Sequence, residues 1–414
     1  MLVEFSVGNF RSFKDIQTLS MVAAPISSKD KELDEQNTFQ ATPKFRLLKT
    51  KAIYGANGSG KSNFVDAMMA FKTFISSSNQ KILLSERFLF STESERRPSF
   101  FQIIIVIDGI LYRYGYENNE EGILSEWLFA TPNQREVCYF KREYKLFNIN
   151  NKYLKGGNKI KNLLGDSSSI FKNNTLFLPL LISLNNDVAL ILDDYFKNFI
   201  IDASSADIMA YEKAKRKLSK EMFLNGSNDN RQRTVELLKF ADIGIKTMGI
   251  GEIENGETED KIIFWGGNKF DENTKTINLI AFPFFELASD GTKKVFDIAP
   301  LINHSLMESR PFIIDEFDSK LHPIITKKIV ELYNKNEGNA QLIFVTRDTN
   351  LLDSKLLRRD QIAFIEKDKY GASHLYDLVE FKGVRNDASF EKDYLDGRYG
   401  AIPFVGNFDS IFAK

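Results

Sequence analysis

The stretch Gly55-Ala-Asn-Gly-Ser-Gly-Lys-Ser62 decides the fold of this chain. Two glycines that flank four residues, followed by lysine and serine, form the P-loop (Walker A) pattern, which belongs between a strand and a helix. Both neighbours are present, because the apolar run 52–54 predicts a buried strand and the apolar spacing over 64–71 predicts a helix. The stretch therefore predicts a phosphate-binding loop in an α/β fold.

The residue types of this loop explain what it can bind. Glycines let the backbone curl until its N–H groups point at a phosphate, and the start of the following helix adds partial positive charge. The ammonium of Lys61 can reach the β- and γ-phosphates, and the hydroxyl of Ser62 can ligate Mg²⁺. We therefore expect a bound nucleotide with Mg²⁺. The residues predicted to contact it are Gly55, Asn57, Gly58, Ser59, Gly60, Lys61, Ser62 and Asn63.

The composition excludes several classes of protein. A chain of 414 residues is long enough for about two or three domains. With 55 basic and 56 acidic residues, no whole-chain field would attract nucleic acid or a membrane, so any such binding needs a local patch. The single cysteine, Cys138, excludes an intramolecular disulfide and a cysteine-based zinc site. The N-terminal residues do not resemble a signal peptide, and no apolar run is long enough to span a bilayer, so we expect a cytoplasmic protein without a membrane partner.

A second motif supplies the carboxylates that a P-loop requires. In Arg310-Pro-Phe-Ile-Ile-Asp-Glu316, a short buried strand ends at Asp315, which is the Walker B pattern. Asp315 is predicted to hold Mg²⁺, and Glu316 is placed to polarise the attacking water. Several classes of P-loop protein share this Asp-Glu pair, so it does not distinguish between them.

Two further stretches distinguish the class. Leu287-Ala-Ser-Asp-Gly-Thr292 opens an amphipathic helix and forms a second phosphate-binding helix start, separate from the P-loop. Phe317-Asp-Ser-Lys-Leu-His-Pro323 follows Walker B directly. The order of P-loop, Ser-x-Gly signature, Asp-Glu pair and D-loop resembles that of ABC-type ATPases. The Asn9–Phe13 start, Asn-Phe-Arg-Ser-Phe, resembles the SMC-like and OLD-like branch of that class.

The closing part of the chain narrows the resemblance. The stretches Leu356–Gln361, Phe381–Gly383 and Gly397–Pro403 resemble the bacterial ABC-type AAA family ATP-binding proteins of abortive-infection and other anti-phage operons. The resemblance covers roughly residues 1–130 and 280–405, and the middle of the chain matches no motif.

The resemblance implies an α/β fold, with an ABC-type P-loop ATPase head, an antiparallel β-subdomain and an inserted, mainly helical middle region. The hairpin 99–117, with Asp108-Gly109 as a two-residue turn, independently predicts the antiparallel sheet. Helices are expected at Val188–Ile201 and Ala206–Leu224, and a short strand at Lys261–Trp265. The expected divisions are an N-lobe with P-loop and β-subdomain at 1–150, the inserted region at 151–275, and a C-lobe at 276–414.

The resemblance also implies a mechanism and roles for residues. ABC heads dimerise head to tail, and each ATP lies between the P-loop of one subunit and the signature of the other. Glu316 would be the general base and Asp315 a magnesium ligand, with Lys61 catalytic as well. The remaining implied contacts are Ser289 and Gly291 to the partner's γ-phosphate, Asp318 at the dimer seam, Arg11 to phosphate, and Gln102 as either a metal-side glutamine or an ordinary strand residue.

One position departs from the ABC pattern. The switch loop should contain histidine, but Phe344-Val-Thr-Arg-Asp348 places Arg347 there. Arginine can donate hydrogen bonds to a γ-phosphate, yet it stays charged and cannot relay a proton. This replacement raises a question about the rate of hydrolysis more than about binding.

Three functions are consistent with these motifs. The first is an ATPase whose nucleotide-dependent association, as a homodimer or a higher homo-oligomer, gates an anti-phage response through a separately encoded effector. The second is a slow-turnover, nucleotide-gated scaffold. The third is an SMC-like DNA-binding or repair ATPase, which would bind nucleic acid through a basic track at Lys213–Lys220.

Overall fold

The structure is a computed structural model, and it describes residues 1–76, 86–156, 174–203, 208–241, 244–255, 258–385 and 388–403. Within these ranges the strands are β1 (Leu2–Gly8), β2 (Gln17–Ser20), β3 (Thr38–Thr42), β4 (Phe45–Leu48), β5 (Thr50–Tyr54), β6 (Ser99–Ile107), β7 (Ile110–Asn119), β8 (Gly122–Ala130), β9 (Val137–Glu143), β10 (Leu146–Ile149), β11 (Ile200–Asp202), β12 (Thr247–Asn255), β13 (Thr258–Asp271), β14 (Thr276–Pro283), β15 (Pro311–Ile314), β16 (Gln341–Val345), β17 (Ile362–Lys367) and β18 (Ser373–Asp377). The α-helices are α1 (Lys31–Gln36), α2 (Lys61–Ser76), α3 (Phe177–Ser183), α4 (Asp187–Lys197), α5 (Ile208–Asn225), α6 (Asn228–Ala241), α7 (Phe284–Leu287), α8 (Asp290–Met307), α9 (Pro323–Lys335) and α10 (Phe390–Leu395).

A six-stranded sheet carries the P-loop. Its order is β11-β15-β16-β5-β17-β18, and every neighbouring pair is parallel except β17 with β18. The carboxyl ends of parallel strands meet at one edge of a sheet, which is where α/β proteins bind ligands. Tyr54 ends β5 and Ile314 ends β15, so the P-loop and the Walker B residues leave the sheet at this common edge.

A seven-stranded antiparallel sheet forms the β-subdomain. Its order is β10-β9-β8-β7-β6-β1-β2. The predicted hairpin is confirmed, because Ile107 pairs with Ile110 across Asp108-Gly109. Asp108 and Gly109 have φ values of 49° and 76°, as a type I′ turn requires. The α/β class and the antiparallel subdomain that the sequence predicted are therefore confirmed.

Helix α2 packs between the two sheets. Phe64 contacts Phe5 edge to face, and Phe71 stacks on Tyr116 with ring centroids 5.6 Å apart. The polar side chain of Gln341, which is fully buried, also ties the sheets together. Its amide accepts from the Leu2 nitrogen at 2.7 Å and donates to the Leu2 carbonyl at 2.9 Å, so the start of β1 in the β-subdomain is fixed to the start of β16.

The middle of the chain contains strands as well as helices. The predicted helix Val188–Ile201 ends at Lys197, and this part of the prediction was wrong because Ile200–Asp202 pairs in parallel with β15. The predicted short strand Lys261–Trp265 lies within the longer β13, which forms a three-stranded antiparallel sheet with β12 and β14. Over the described ranges, no helix combines the length and apolarity needed to cross a membrane.

A buried carboxylate joins the middle of the chain to the β-subdomain. Glu126 in β8 is fully buried, and it accepts from the Tyr114 hydroxyl at 2.9 Å and from the Phe177 and Leu178 nitrogens at 2.6 and 2.9 Å. Arg142 lies 3.8 Å away. Burial raises the pKa of Glu126, and Arg142 and the three donors oppose that rise. The first turn of α3 therefore depends on this side chain.

Replacing this carboxylate should destabilise the fold. We expect Glu126→Ala to lower the free energy of unfolding by about 3–5 kcal/mol, because it removes the buried carboxylate that faces Arg142 and leaves the Phe177 and Leu178 nitrogens without that acceptor. Urea denaturation followed by circular dichroism measures this. The control is Glu143→Ala, which removes a carboxylate that pairs with Lys141 at the surface and should change the midpoint very little. Equal midpoints for the two variants would contradict the role given to Glu126.

Candidate active site

A pocket opens at the carboxyl edge of the six-stranded sheet, where β5, β15, β16 and β17 end. Its volume is about 440 Å³. It brings together four motifs that are far apart in the sequence: the P-loop, Walker B, the D-loop and the switch loop. The lining residues are Asn57, Gly58, Ser59, Gly60, Lys61, Ser62, Asn63, Asp315, Glu316, Asp318, Ser319, Val345, Thr346, Arg347 and Lys367.

The glycines of the P-loop are required by its conformation and its packing. Gly58 and Gly60 have φ values of +74° and +112°, which L side chains rarely adopt. A Cβ atom at Gly60 would lie 2.3 Å from the Ser373 Oγ and 2.6 Å from the Ser12 Oγ, whereas a Cβ at Gly58 would meet nothing within 4 Å. Glycine is therefore required at position 60 both because a side chain would clash with its neighbours and because the backbone has a positive φ.

Lys61 points back into its own loop. Its Nζ donates to the carbonyl of Gly55 at 2.7 Å and to that of Ala56 at 2.9 Å. Burial, followed by the positive charge of Arg347, lowers the pKa of Lys61 to about 8. The ammonium is thus held at the mouth of the loop by backbone dipoles rather than by a paired carboxylate, which suits a group that exchanges these carbonyls for phosphate oxygens.

The Walker B carboxylates have different environments. Asp315 is buried, and its Oδ1 accepts from the Glu316 nitrogen at 3.0 Å. Glu316 has a left-handed φ of 47°, a conformation that costs a non-glycine residue about 1–2 kcal/mol. Its carboxylate is half exposed and lies 3.4 Å from a guanidinium nitrogen of Arg347. Glu316 is therefore the carboxylate that faces the open pocket.

Asp318 anchors the switch loop. It accepts from the Thr346 hydroxyl at 2.7 Å and from the Arg347 nitrogen at 3.1 Å. These bonds fix the backbone at Arg347 while its side chain, 58% exposed, is free to turn toward the pocket. The D-loop and the switch loop therefore form one connected structure beside Lys61.

The residues present fit a nucleoside triphosphate with Mg²⁺. The Ser59 Oγ is buried at the pocket and has no hydrogen-bond partner among the described residues, so it can still donate to a ligand. The Ser62 hydroxyl and the Asp315 carboxylate are the oxygen donors that Mg²⁺ prefers. Lys61, Arg347 and Lys367 supply positive charge for phosphates. These residues therefore offer donors and positive charge for the phosphates, and oxygen ligands for Mg²⁺.

The signature lies outside this pocket. Ser289 is exposed and caps α8, with its Oγ accepting from the Thr292 nitrogen at 3.1 Å. A Cβ at Gly291 would lie 3.1 Å from the carbonyl of Lys320, so the signature packs beside the D-loop of its own chain. The structure therefore does not bring Ser289 and Gly291 to the P-loop of the same subunit.

Two other predicted residues also lie away from the pocket. Arg11 has φ +46° and pairs with Asp66 and Glu86. Gln102 lies in β6, where its amide oxygen accepts from the Trp127 Nε1 at 3.2 Å. This geometry removes Gln102 from the candidate magnesium ligands, because its side chain is engaged within the antiparallel sheet.

The structure adds residues that the sequence reasoning missed. Lys367 lines the pocket at the carboxyl end of β17. The apolar run before it could have predicted a buried strand that ends near Lys367. Asp202 ends β11 next to Walker B, and its carbonyl accepts from the Asp315 nitrogen at 2.8 Å. No sequence pattern pointed to Asp202, because the residues of β11 continue the apolar spacing of the preceding helix.

Two identical substitutions in the loop should have different effects. Gly60→Ala should lower the free energy of unfolding by about 2–4 kcal/mol, since the new methyl group meets Ser373 and Ser12 in a strained backbone. Gly58→Ala, which meets open space, should cost only the backbone strain of about 1–2 kcal/mol. Urea denaturation gives both values, and titration with a fluorescent ATP analogue should show the larger loss for Gly60→Ala. Indistinguishable variants would show that packing around Gly60 is unimportant.

Comparison with solved structures gave matches to SMC head domains. The "SMC head domain from Thermotoga maritima" has 13% identity, covers 91% of this chain and 98% of that chain, and has a TM-score of 0.40. An SmcHead bound to the C-winged helix domain of ScpA has 16% identity, covers 91% and 97%, and has a TM-score of 0.46. An Smc head with an extended coiled coil, bound to the C-terminal domain of ScpA derived from Pyrococcus furiosus, has 15% identity, covers 91% and 96%, and has a TM-score of 0.39.

Comparison with curated proteins gave no match. A family model does match, over residues 52–353, from the P-loop strand to just beyond the switch loop. All the lining residues of the pocket except Lys367 fall within that range. The chain therefore belongs to the family described as "AAA domain, putative AbiEii toxin, Type IV TA system".

Proposed function

We propose that this chain binds ATP with Mg²⁺ and hydrolyses it between two subunits arranged head to tail. One observation carries the proposal: the pocket gathers the P-loop, Asp315, Glu316 and Arg347, while the signature at Ser289 lies outside it. A site with every part except the signature is half of a composite site. The missing half is the exposed signature of a second copy.

Different residues of the pocket would bind the phosphates, hold Mg²⁺ and accept the proton. Lys61 and the loop N–H groups bind the phosphates, and Ser62 with Asp315 would hold Mg²⁺, which neutralises the charge that develops on the phosphates. Glu316 takes a proton from the attacking water. Its half-exposed carboxylate at the pocket, in contrast to buried Asp315, supports that role.

The position of the signature supports dimerisation. Ser289 caps the 18-residue helix α8, whose N-terminal N–H groups carry partial positive charge that favours an anion. Gly291 lies against Lys320 of the D-loop, so the signature and the D-loop occupy one surface. A two-fold axis would place this surface over the P-loop pocket of a partner and complete two equivalent sites.

The biological setting rests on the family and on the closing stretches of the sequence. The family description names an AbiEii toxin and a type IV TA system, and the stretch Gly397–Pro403 resembles anti-phage ATPases. We propose that ATP-dependent association gates an anti-phage response in the cytoplasm through a separately encoded effector. The DNA-binding alternative has less support, because Lys215 pairs with Asp202 and Arg216 pairs with Asp297, while the side chain of Lys213 lies outside the described residues.

A second candidate function is the slow-turnover scaffold. The contact between Arg347 and Glu316 favours it, because a guanidinium that pairs with the general base restrains that carboxylate from turning toward an attacking water. In the ATPase proposal, Arg347 turns from Glu316 to the phosphates when nucleotide binds. The two functions therefore assign opposite effects to the same side chain.

Removing the general base should separate binding from hydrolysis. We expect Glu316→Gln to slow phosphate release by about 10²–10⁴-fold while leaving ATP binding intact, because the amide cannot accept the proton. ATP should then accumulate a dimer, measured by size-exclusion chromatography with light scattering. Adding Ser289→Arg to this variant should prevent the dimer and leave binding to the monomer, since the exposed signature is blocked. Wild-type hydrolysis by Glu316→Gln would refute the assignment of the base.

The direction in which Arg347→Gln changes the rate of hydrolysis distinguishes the two candidate functions. If Arg347 donates to the phosphates, Arg347→Gln should slow single-turnover hydrolysis by about tenfold or more. If it restrains Glu316, the same change should accelerate hydrolysis by up to roughly fivefold, because an exposed ion pair contributes about 1 kcal/mol at most. Lys367→Gln is the matched control, as it removes a cation from the same pocket without touching Glu316. We expect the slower rate, and acceleration would favour the scaffold.

A further inference from the structure

A second pocket lies where the three closing stretches of the sequence meet. Its volume is about 580 Å³, and it shares no lining residue with the P-loop pocket. No residue of these stretches has a role in the proposed binding and hydrolysis of ATP. Arg359, from the stretch Leu356–Gln361, donates from its Nη1 to the carbonyl of Val384 at 2.7 Å and so holds Val384 in one wall.

The floor of this pocket is aromatic and rigid. Phe381 and Tyr399 both line it, and their ring centroids are 5.5 Å apart at an angle of 66°. The Tyr376 hydroxyl donates to the carbonyl of Tyr399 at 2.9 Å, and the Tyr394 hydroxyl donates to that of Ala401 at 3.1 Å. Half-buried Tyr376 and buried Tyr394 therefore hold the backbone on both sides of the floor.

The backbone below the floor is held in an unusual conformation. Gly397, Gly400 and Ala401 have φ values of 78°, 66° and 56°, and Ala401 is a buried non-glycine residue. A Cβ at Gly400 would lie 2.8 Å from the Tyr376 Oη, so glycine is needed there for space too. Strained backbone persists only where its surroundings enforce it, and it is concentrated at functional sites.

The rim of the pocket is positively charged. Among the described lining residues, four cations face one carboxylate: Lys382, Arg385, Lys392 and Arg398 against Asp393. Asp393 is already engaged, because Arg398 lies 2.9 Å away and the Tyr399 hydroxyl donates to it at 3.0 Å. The other three cations are exposed and have no acidic partner in the described part of the chain. This rim stands out on a chain whose net charge is −1.

We propose that this pocket binds a nucleoside phosphate, either free or at the 5′ end of a nucleic-acid strand. Its volume lies within the range of small-ligand sites, about 300–1,000 Å³. Lys382, Arg385 and Lys392 bind the phosphate, and the half-buried ring of Phe381 receives the base by stacking. This inference goes beyond the ATPase function and does not depend on it.

Binding can be tested without ATP in the full-length Lys61→Ala chain, which lacks the P-loop ammonium. The probes are a fluorescent thymidine oligomer of about twelve nucleotides with a 5′-phosphate, the same oligomer with a 5′-hydroxyl, and thymidine 5′-monophosphate as competitor. Fluorescence anisotropy should show at least tenfold tighter binding of the phosphorylated oligomer than of the hydroxyl form. Displacement by the monophosphate identifies a free nucleotide as a sufficient ligand, and its failure to compete identifies the strand end.

Charge-reversal variants locate the site. Lys382→Glu with Arg385→Glu should weaken binding at least tenfold and make the salt dependence shallower by about 1.4 in log–log slope, for two lost phosphate contacts. Lys261→Glu with Lys269→Glu makes the same charge change at exposed positions of β13 and should have no such effect. The exchange Lys382→Arg with Arg385→Lys should preserve binding. Equal affinities for the two reversal variants, no preference for the 5′-phosphate, or no binding at all would overturn the proposal.

Discussion

Parallel backbone pairing of three strands creates the pocket at the centre of this molecule. Phe344 in β16 lies opposite Ile314 in β15 on one side and opposite Ala52 in β5 on the other. The three strands therefore end at the same level, and the residues that follow them converge. Walker B, the switch loop and the P-loop come from distant parts of the chain, and only this pairing places Lys61 near Asp315 and Arg347. The Gln341 side chain, which ties β16 to β1, adds the β-subdomain to the same framework.

The parts of the site that could be predicted are those whose geometry is local. The P-loop at Gly55–Ser62 contains both its turn and its helix start within eight residues. The direction of its backbone N–H groups therefore depends on local sequence only. Asp315 and Glu316 follow a short apolar strand, and chain continuity places them at the strand end. The turn at Asp108-Gly109 is local in the same sense. The structure places each of these features where its motif predicted it.

The parts that could not be predicted depend on contacts between residues that are far apart in the sequence. Arg11 was assigned to phosphate, but Asp66 and Glu86 approach it from other elements. The basic run 213–220 looked like an exposed track, yet Lys215 pairs with buried Asp202. Ile200–Asp202 continues a helical pattern in the sequence, and tertiary pairing with β15 overrides that local preference. Lys367 became a candidate only once β17 was placed beside β5.

The spacing of the sheet strands has a consequence for synthesis of the protein. The P-loop strand β5 ends at residue 54, but its two neighbours begin at residues 341 and 362. A ribosome that adds about 5–20 residues per second needs from roughly a quarter of a minute to a minute to bridge that interval. Until then the loop has neither Walker B nor the switch residue beside it. Any chain truncated before β16 therefore lacks this pocket, because the strand that joins β5 to β15 is missing.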